Sequence, residues 1–264
     1  MATLRCAAGR QHGHRPGPLP EGEGWARKPH GILKFLVRMS SEIVFAIFQI
    51  IAFLFAISVH ESAHAWMASR CGDPTARMLG RVTLNPIKHI DPFGTVILPL
   101  IALLTHFPVI GWAKPTPVNP RNFRNPMRDD ILTSVAGPVS NLVVATGAVV
   151  LLAVISLASG QGKLIVSGIA QGALIDTGSA LVPLCVLLYE AMIINVLLAV
   201  FNLIPIPPLD GSHVLRHFLP ASAMHAYQMF GTVAFILLFL VGGRFLGLLM
   251  MPFVNFFNSL LLRM

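Results

Sequence analysis

Residues 43–67 read IVFAIFQIIAFLFAISVHESAHAWM, a run whose polar residues are Gln49, Ser58 and those of the segment His60-Glu61-Ser62-Ala63-His64. Roughly 20 apolar residues cover the hydrocarbon core of a bilayer, so this stretch predicts a membrane-spanning helix. Helical neighbours lie four residues apart, which puts His60 and His64 on one face where both can reach one metal ion. Imidazole nitrogen suits zinc, at roughly 2.0–2.1 Å. Glu61 stands beside the first of them. A carboxylate there can take a proton from water at the metal and return it to a leaving amine. Charge is costly inside a membrane helix, so an acid in this run asks for a functional reason.

The rest of the 264-residue chain agrees with a lipid environment. It is 55% hydrophobic and 11% charged, with a mean hydropathy of +0.72, and soluble domains carry about twice that share of charge. The formal net charge of +8 is mostly a tail effect. Arg5, Arg10, Arg15, Arg27, Lys28, Lys34 and Arg38 face only Glu21 and Glu23 within residues 1–38, which leaves +3 for the remainder. No basic stripe interleaved with aromatics exists, so no nucleic-acid partner is expected. Cys6, Cys71 and Cys185 are too scattered for a disulfide framework or a CxxC zinc site.

Residues 1–38, rich in Gly, Pro, Arg and His without an apolar period, predict a disordered basic tail; residues 39–264 predict one membrane-embedded domain. Met39 opens MSSEIVFAIFQ as a membrane protein opens, and either it or Met1 is the true start. Four further apolar segments follow: Phe93–Ile110, Ile131–Ala158, Ala180–Ile204 and Tyr227 to about Leu262. The first of these is short and holds Pro99 and Pro108. The last is interrupted by Gly242, Gly243, Arg244 and Pro252, and reads as one long helix or a helix plus an interfacial stretch. The expected fold is an all-α polytopic membrane protein with four to six transmembrane helices. The loops on both sides of Phe93–Ile110 are basic, which favours a segment that dips in and returns rather than crossing.

Two histidines are too few for a catalytic zinc, which takes three protein ligands and a water. Position 70 is Arg70, so no third histidine continues the first motif. Glu42, Asp176, Glu190, Asp210 and His213 lie in or beside apolar runs and are the candidates. Asp210 follows Asn202-Leu203-Ile204-Pro205-Ile206-Pro207-Pro208-Leu209 and precedes Gly211. Three prolines break a helix there and Gly211 permits a tight turn. A broken helix at membrane depth is tolerated where it lines a cavity. An Asp-Gly turn at the interface fits the same residues. His213 and His217 read as the face of an interfacial helix, His89 and Asp91 as turn residues or residues that shape the site, and Glu190 as a buried acid in need of a polar partner.

The pairing of His60-Glu61-Ser62-Ala63-His64 with Asn202 through Gly211 resembles the site-2 proteases, which are intramembrane zinc metalloproteases. Gly80-Arg81-Val82-Thr83-Leu84-Asn85-Pro86, His89-Ile90-Asp91-Pro92-Phe93-Gly94, Gly111-Trp112-Ala113-Lys114-Pro115 and Ala136-Gly137-Pro138-Val139-Ser140-Asn141 look like the compact bacterial branch without a PDZ domain. The resemblance covers most of residues 40–218. It implies that His60, His64 and Asp210 hold Zn2+ and that Glu61 is the general base and acid. It further implies that Asn202 stabilises the scissile carbonyl or its oxyanion, and that Asn141 is a second polar group of the catalytic site, where helix packing is the competing role. The extended segment around Trp112 and Lys114 would pair with an unwound substrate near the zinc site. A single-span membrane protein is the implied substrate, the lipid bilayer the surroundings, and the cell membrane, the inner one in a bacterium, the location. An inactive relative serving as a scaffold and a metal or proton transporter are the competing functions.

Overall fold

The computed structural model describes residues 30–98, 101, 113–173, 178–241 and 243–264. The tail to residue 29, Trp112, Asp176, the Glu42 side chain and most of Phe93–Ile110 lie outside the described residues. The chain falls into two units, Met1–Ser40 and Ser41–Met264, and the second is the subject here.

Every regular element among the described residues is helical. They are α1 (His30–Cys71), α2 (Thr75–Met78), α3 (Pro126–Ala158), α4 (Gly160–Ala170), α5 (Leu181–Asn202), α6 (Asp210–Arg216), α7 (Ala221–Val241) and α8 (Gly243–Leu262). Five stretches are long and apolar enough to cross a membrane: Ile43–Cys71, Pro126–Ala158, Leu181–Asn202, Ala221–Leu238 and Phe245–Leu262. The last apolar segment of the sequence is therefore two span-length helices. The first of them is described to Val241 and the second begins at Gly243, a poor helix former. Pro252 sits inside α8 without ending it.

The helices sort their residues by lipid logic. Ile47, Ile50 and Phe55 of α1 and Val143, Val150, Leu151 and Val154 of α3 are exposed. Between the helices, Ala145, Ala148 and Leu152 of α3 pack on Ile165 and Ile169 of α4, Cys185, Met192 and Val196 of α5, and Phe257 and Leu261 of α8. Ala52 and Ala56 bring α1 against Ile194 of α5. Small residues let membrane helices approach closely. The buried set also includes Ser58, His60, His64, Thr133, Asn141, Glu190 and Asn195. Such groups face inward because lipid offers them no partner. Glu190 finds the one the sequence demanded: Gln49 of α1 donates to its Oε2 at 3.2 Å.

The connection from α1 to α3 returns to its starting point. Arg124 N donates to Cys71 O at 3.1 Å, which joins the end of α1 to the approach of α3. The segment Phe93–Ile110 is described only at its start and at Ile101, so the dip-and-return expectation for it lies outside the described residues. It opens on a π-helical turn, Pro92–Ile97, with Asp91 Oδ1 accepting from Phe93 N at 3.1 Å and Gly94 N at 2.8 Å. Asp91 is thus a capping residue. His89, also buried, meets Thr83 O at 2.9 Å through Nε2.

Asp73 knots the two ends of this connection. Its carboxylate accepts from Thr75 N at 3.2 Å, Thr75 Oγ1 at 2.5 Å, Asn119 N at 2.7 Å and Asn122 Nδ2 at 2.8 Å. Burial pushes its pKa up, but these donors outweigh burial and hold it below the usual carboxylate range. Because the folded pKa is the lower one, the stabilisation is present above the unfolded value of about 3.9 and fades as pH falls through the folded pKa. Asp73→Asn should lower the unfolding temperature of the detergent-solubilised protein at pH 7, and the difference from wild type should shrink on acidification below about pH 4.

The returning connection also sets the orientation. Arg77, Arg81, Lys88, Lys114, Arg121 and Arg124 lie in it, with Arg216 at the same end, whereas Lys163 lies at the far end of the bundle, where α3 gives way to α4. Basic loops stay in the cytoplasm. Phe257 and Leu261 pack against Ile165 and Ile169 at the Lys163 end, so a reporter fused after Met264 should read on the side of the membrane opposite to a reporter placed in the basic connection.

Candidate metal centre

His60 and His64 lie about 10–16 Å in from the end of α1 at 1.5 Å per residue, and their rings meet edge to face. Asp210 joins them from α6. His60 Nε2 and His64 Nε2 are 3.0 Å apart, and Asp210 Oδ2 lies 3.1 Å from the first and 3.3 Å from the second. Of the three candidates for a third ligand whose side chains are described, Glu190, Asp210 and His213, Asp210 is the one brought to the histidine pair. Glu190 is engaged with Gln49, and His213 faces Asp130.

The opposite ring nitrogens are already committed. His64 Nδ1 is 2.7 Å from Thr133 O, and a carbonyl can only accept, so the proton is on Nδ1. His60 Nδ1 is 2.6 Å from Asn141 Oδ1. The Asn141 amide cannot be turned round, because its Nδ2 donates to Ala56 O at 3.2 Å and to Asn195 Oδ1 at 2.7 Å. Asn195 is held in turn by its own Nδ2 on Ala191 O at 2.7 Å. Both histidines therefore aim a bare Nε2 lone pair at the same point. Asp210 Oδ2 is the third acceptor there, buried and without a hydrogen-bond donor.

Three acceptors at 3.0–3.3 Å with no proton between them repel one another, and a cation removes the repulsion. A tetrahedron with bonds of about 2.0 Å has edges of about 3.3 Å, which the triangle approaches. Gly137 of α3 completes the fit. A Cβ added there would lie 2.7 Å from His60 Nε2 and nearer still to His64 Nε2, so only a residue without a side chain leaves the space open. The donor set and the cradle fit Zn2+.

Asp210 is delivered by the broken helix. Ile206 N bonds Ile204 O at 2.8 Å and Leu209 N bonds Ile206 O at 2.9 Å, so the proline-rich turn is tight and α6 starts at Asp210. Gly211 is needed for a different reason from the one its turn-forming habit suggests. Its backbone is not left-handed; a Cβ would strike Leu203 O and lie 2.8 Å from Ile204 O, so glycine lets α6 seat against the end of α5. Tyr227 of α7 supports the turn by donating to Pro205 O at 3.0 Å. At its far end α6 is tied to α3: buried Asp130 accepts from Arg216 Nη2 and His217 Nε2, both at 2.6 Å, with His213 Nδ1 at 3.6 Å. His213 and His217 thus turn to a buried acid rather than forming a free interfacial face.

Glu61 is half-buried. Its Oε2 accepts from Thr116 N at 2.9 Å and Thr116 Oγ1 at 2.7 Å. Asn141 is fully buried with its carbonyl and both amide hydrogens in use, so its action falls on His60. Asn202, the last residue of α5, spends one Nδ2 hydrogen on Leu198 O at 2.9 Å, and no hydrogen bond among the described residues joins it to the triangle. Thr116, Thr133, Asp130 and Asn195 were not singled out from sequence. The signal for Thr116 is its place between two prolines. Asp130 and Thr133 keep helical step with Gly137 and Asn141.

Residues 48–241 match Peptidase family M50. The chain is 37% identical to "Putative zinc metalloprotease YwhC" of Bacillus subtilis over 195 residues, 73% of this chain and 80% of that protein. It is 34% identical to "Putative zinc metalloprotease Rip2" of Mycolicibacterium smegmatis over 110 residues, 41% of each. No solved structure gives a significant match. Filling the cradle tests the metal site: Gly137→Ala should lower zinc affinity at least about tenfold, measured as zinc content of protein that still elutes as wild type.

Proposed function

The chain belongs to peptidase family M50, the site-2 proteases, and is a membrane zinc metalloendopeptidase; from that premise we propose that His60, His64 and Asp210 hold its zinc and that it cuts a peptide bond within or near the transmembrane helix of a single-span substrate. One observation carries the reading: three converging acceptors, with Glu61 next in chain to the first, lie in or against a stretch able to span a bilayer.

Bound zinc would supply Lewis acidity that lowers the pKa of water to about 7. The chain's own groups do the rest. Thr133 O and Asn141 Oδ1 fix the imidazoles. Glu61 takes the proton of the attacking water and passes it to the leaving nitrogen, since an amine leaves only when protonated. Asn202 has a second Nδ2 hydrogen to offer, and an amide donor suits negative charge growing on a carbonyl oxygen. The basic end of the bundle, where α1 terminates, lets water reach this depth. A substrate helix enters from the side and unwinds locally, because helical turns shield a peptide bond. The cell membrane, a bacterial inner membrane for a chain with such relatives, is the proposed location.

Glu61→Gln keeps the size and hydrogen-bonding reach of the side chain and removes its basicity. It should retain zinc and lower cleavage of a single-span reporter by roughly 10²–10⁴-fold. Wild-type turnover in that variant would end the assignment of Glu61. Proteomics of cells carrying it should show accumulated single-span proteins.

A further inference from the structure

The segment 113–119, Ala-Lys-Pro-Thr-Pro-Val-Asn, crosses beside α1 as an extended strap. Each half is tied down: Lys114 N donates to His89 O at 2.9 Å, and Asn119 N donates to the buried Asp73 carboxylate at 2.7 Å. Pro115 and Pro117 fix the backbone on either side of Thr116. Thr116 therefore hangs at a set position between two anchors, and from it both donors reach one oxygen of Glu61. The backbone N lies 2.9 Å from Oε2, and Oγ1 lies 2.7 Å from the same atom. Oγ1 is also 3.1 Å from Glu61 O, but one hydroxyl hydrogen serves one acceptor well at a time, and the shorter contact to the charged oxygen is the stronger.

This arrangement makes the two carboxylate oxygens unequal. Oε2 holds two donors, while Oε1 makes no hydrogen bond with any described residue. A free glutamate on a helix samples several rotamers. One anchored through a single oxygen keeps its orientation and leaves the other oxygen free for a proton. We propose that Thr116 is a positioning residue for Glu61, its hydroxyl and amide anchoring Oε2 so that Oε1 is the oxygen that takes and returns the proton. The inference rests on the assignment of Glu61 as the base. It also couples the strap to the chemistry, because a shift of residues 113–119 moves the base with it.

Two near-isosteric variants separate this role from packing. Thr116→Val keeps the shape and loses the hydroxyl; Thr116→Ser keeps the hydroxyl and loses the methyl. The full-length enzyme in proteoliposomes is assayed on a labelled single-span reporter whose helix carries a Gly-Pro break, with zinc measured in each preparation. Thr116→Val should lower kcat about tenfold with KM within about twofold and zinc unchanged, whereas Thr116→Ser should stay within about twofold of wild type. Equal activity of Thr116→Val, failure of Thr116→Ser to match wild type, or a loss confined to KM would overturn the proposal. A second readout does not need turnover. The Glu61 carboxylate infrared band, identified by its loss in Glu61→Gln, should shift in Thr116→Val and not in Thr116→Ser, and an unmoved band refutes the anchor even if the reporter is not cut. Cleavage that survives Glu61→Gln would instead refute the assignment of the base, a result these Thr116 measurements do not mimic.

Discussion

Gathering three lone pairs at one point inside a bundle of apolar helices is the constraint from which the rest of this structure follows. Each histidine has to spend its Nδ1 hydrogen elsewhere before its Nε2 is free to be an acceptor, and lipid supplies nothing to spend it on. The protein therefore brings an acceptor to each ring from a neighbouring helix: Thr133 O for His64 and Asn141 Oδ1 for His60. The second acceptor has to be oriented too, which calls in Ala56 O and Asn195. Helices α1, α3 and α5 are locked together by the same bonds that choose the tautomers. Folding and metal chemistry are one requirement here, since a buried histidine with the wrong hydrogen would fail both.

The acids divide along the same lines. Asp210 stands on a seven-residue helix after a proline-rich turn, aimed at the two bare nitrogens and given no donor. Glu61 stands on the adjoining turn of a long helix and is given two donors from outside the bundle. An acceptor without donors suits a cation; an acceptor anchored on one side suits proton traffic on the other. Asp130 and Asp73 do neither. One ties α6 to α3 through Arg216 and His217, and the other closes the loop between α1 and α3.

The sequence made part of this legible because some of it is written in local spacing. His60 and His64 are one helical turn apart, so their convergence was legible from spacing; Asp210 follows prolines that forbid an ordinary helix, and it was singled out among several candidates by the family resemblance. The all-helical membrane fold followed from run length. The break between α7 and α8 was ambiguous, since two glycines weaken a helix without forbidding it. What was not legible joins residues far apart in the chain. Nothing near Thr116 announces that its partner is Glu61, and nothing near Asn195 announces Asn141. The turn reading of Gly211 failed for a related reason: its glycine answers to Leu203 and Ile204, across a loop whose path depends on where α7 holds Pro205.

One long-range relation does have a local signature. Asp130, Thr133, Gly137 and Asn141 are spaced by three, four and four residues, so they form a single stripe on α3. Every one of them is buried and every one serves the site: Asp130 holds α6, Thr133 holds His64, Gly137 leaves room at the Nε2 atoms, and Asn141 holds His60. The stripe continues through Ala145, Ala148 and Leu152, where the same face packs the apolar core. Pro138 lies within the polar half, and a proline inside a helix removes a ladder bond and loosens the preceding turn. That turn contains the Thr133 carbonyl on which His64 depends. Helix α3 is thus a template whose polar half fixes the geometry of ligands carried by other elements, while its apolar half fixes the template in the bundle. The acceptors that would hold a divalent cation belong to α1 and α6, but the distances that make room for it are set by α3.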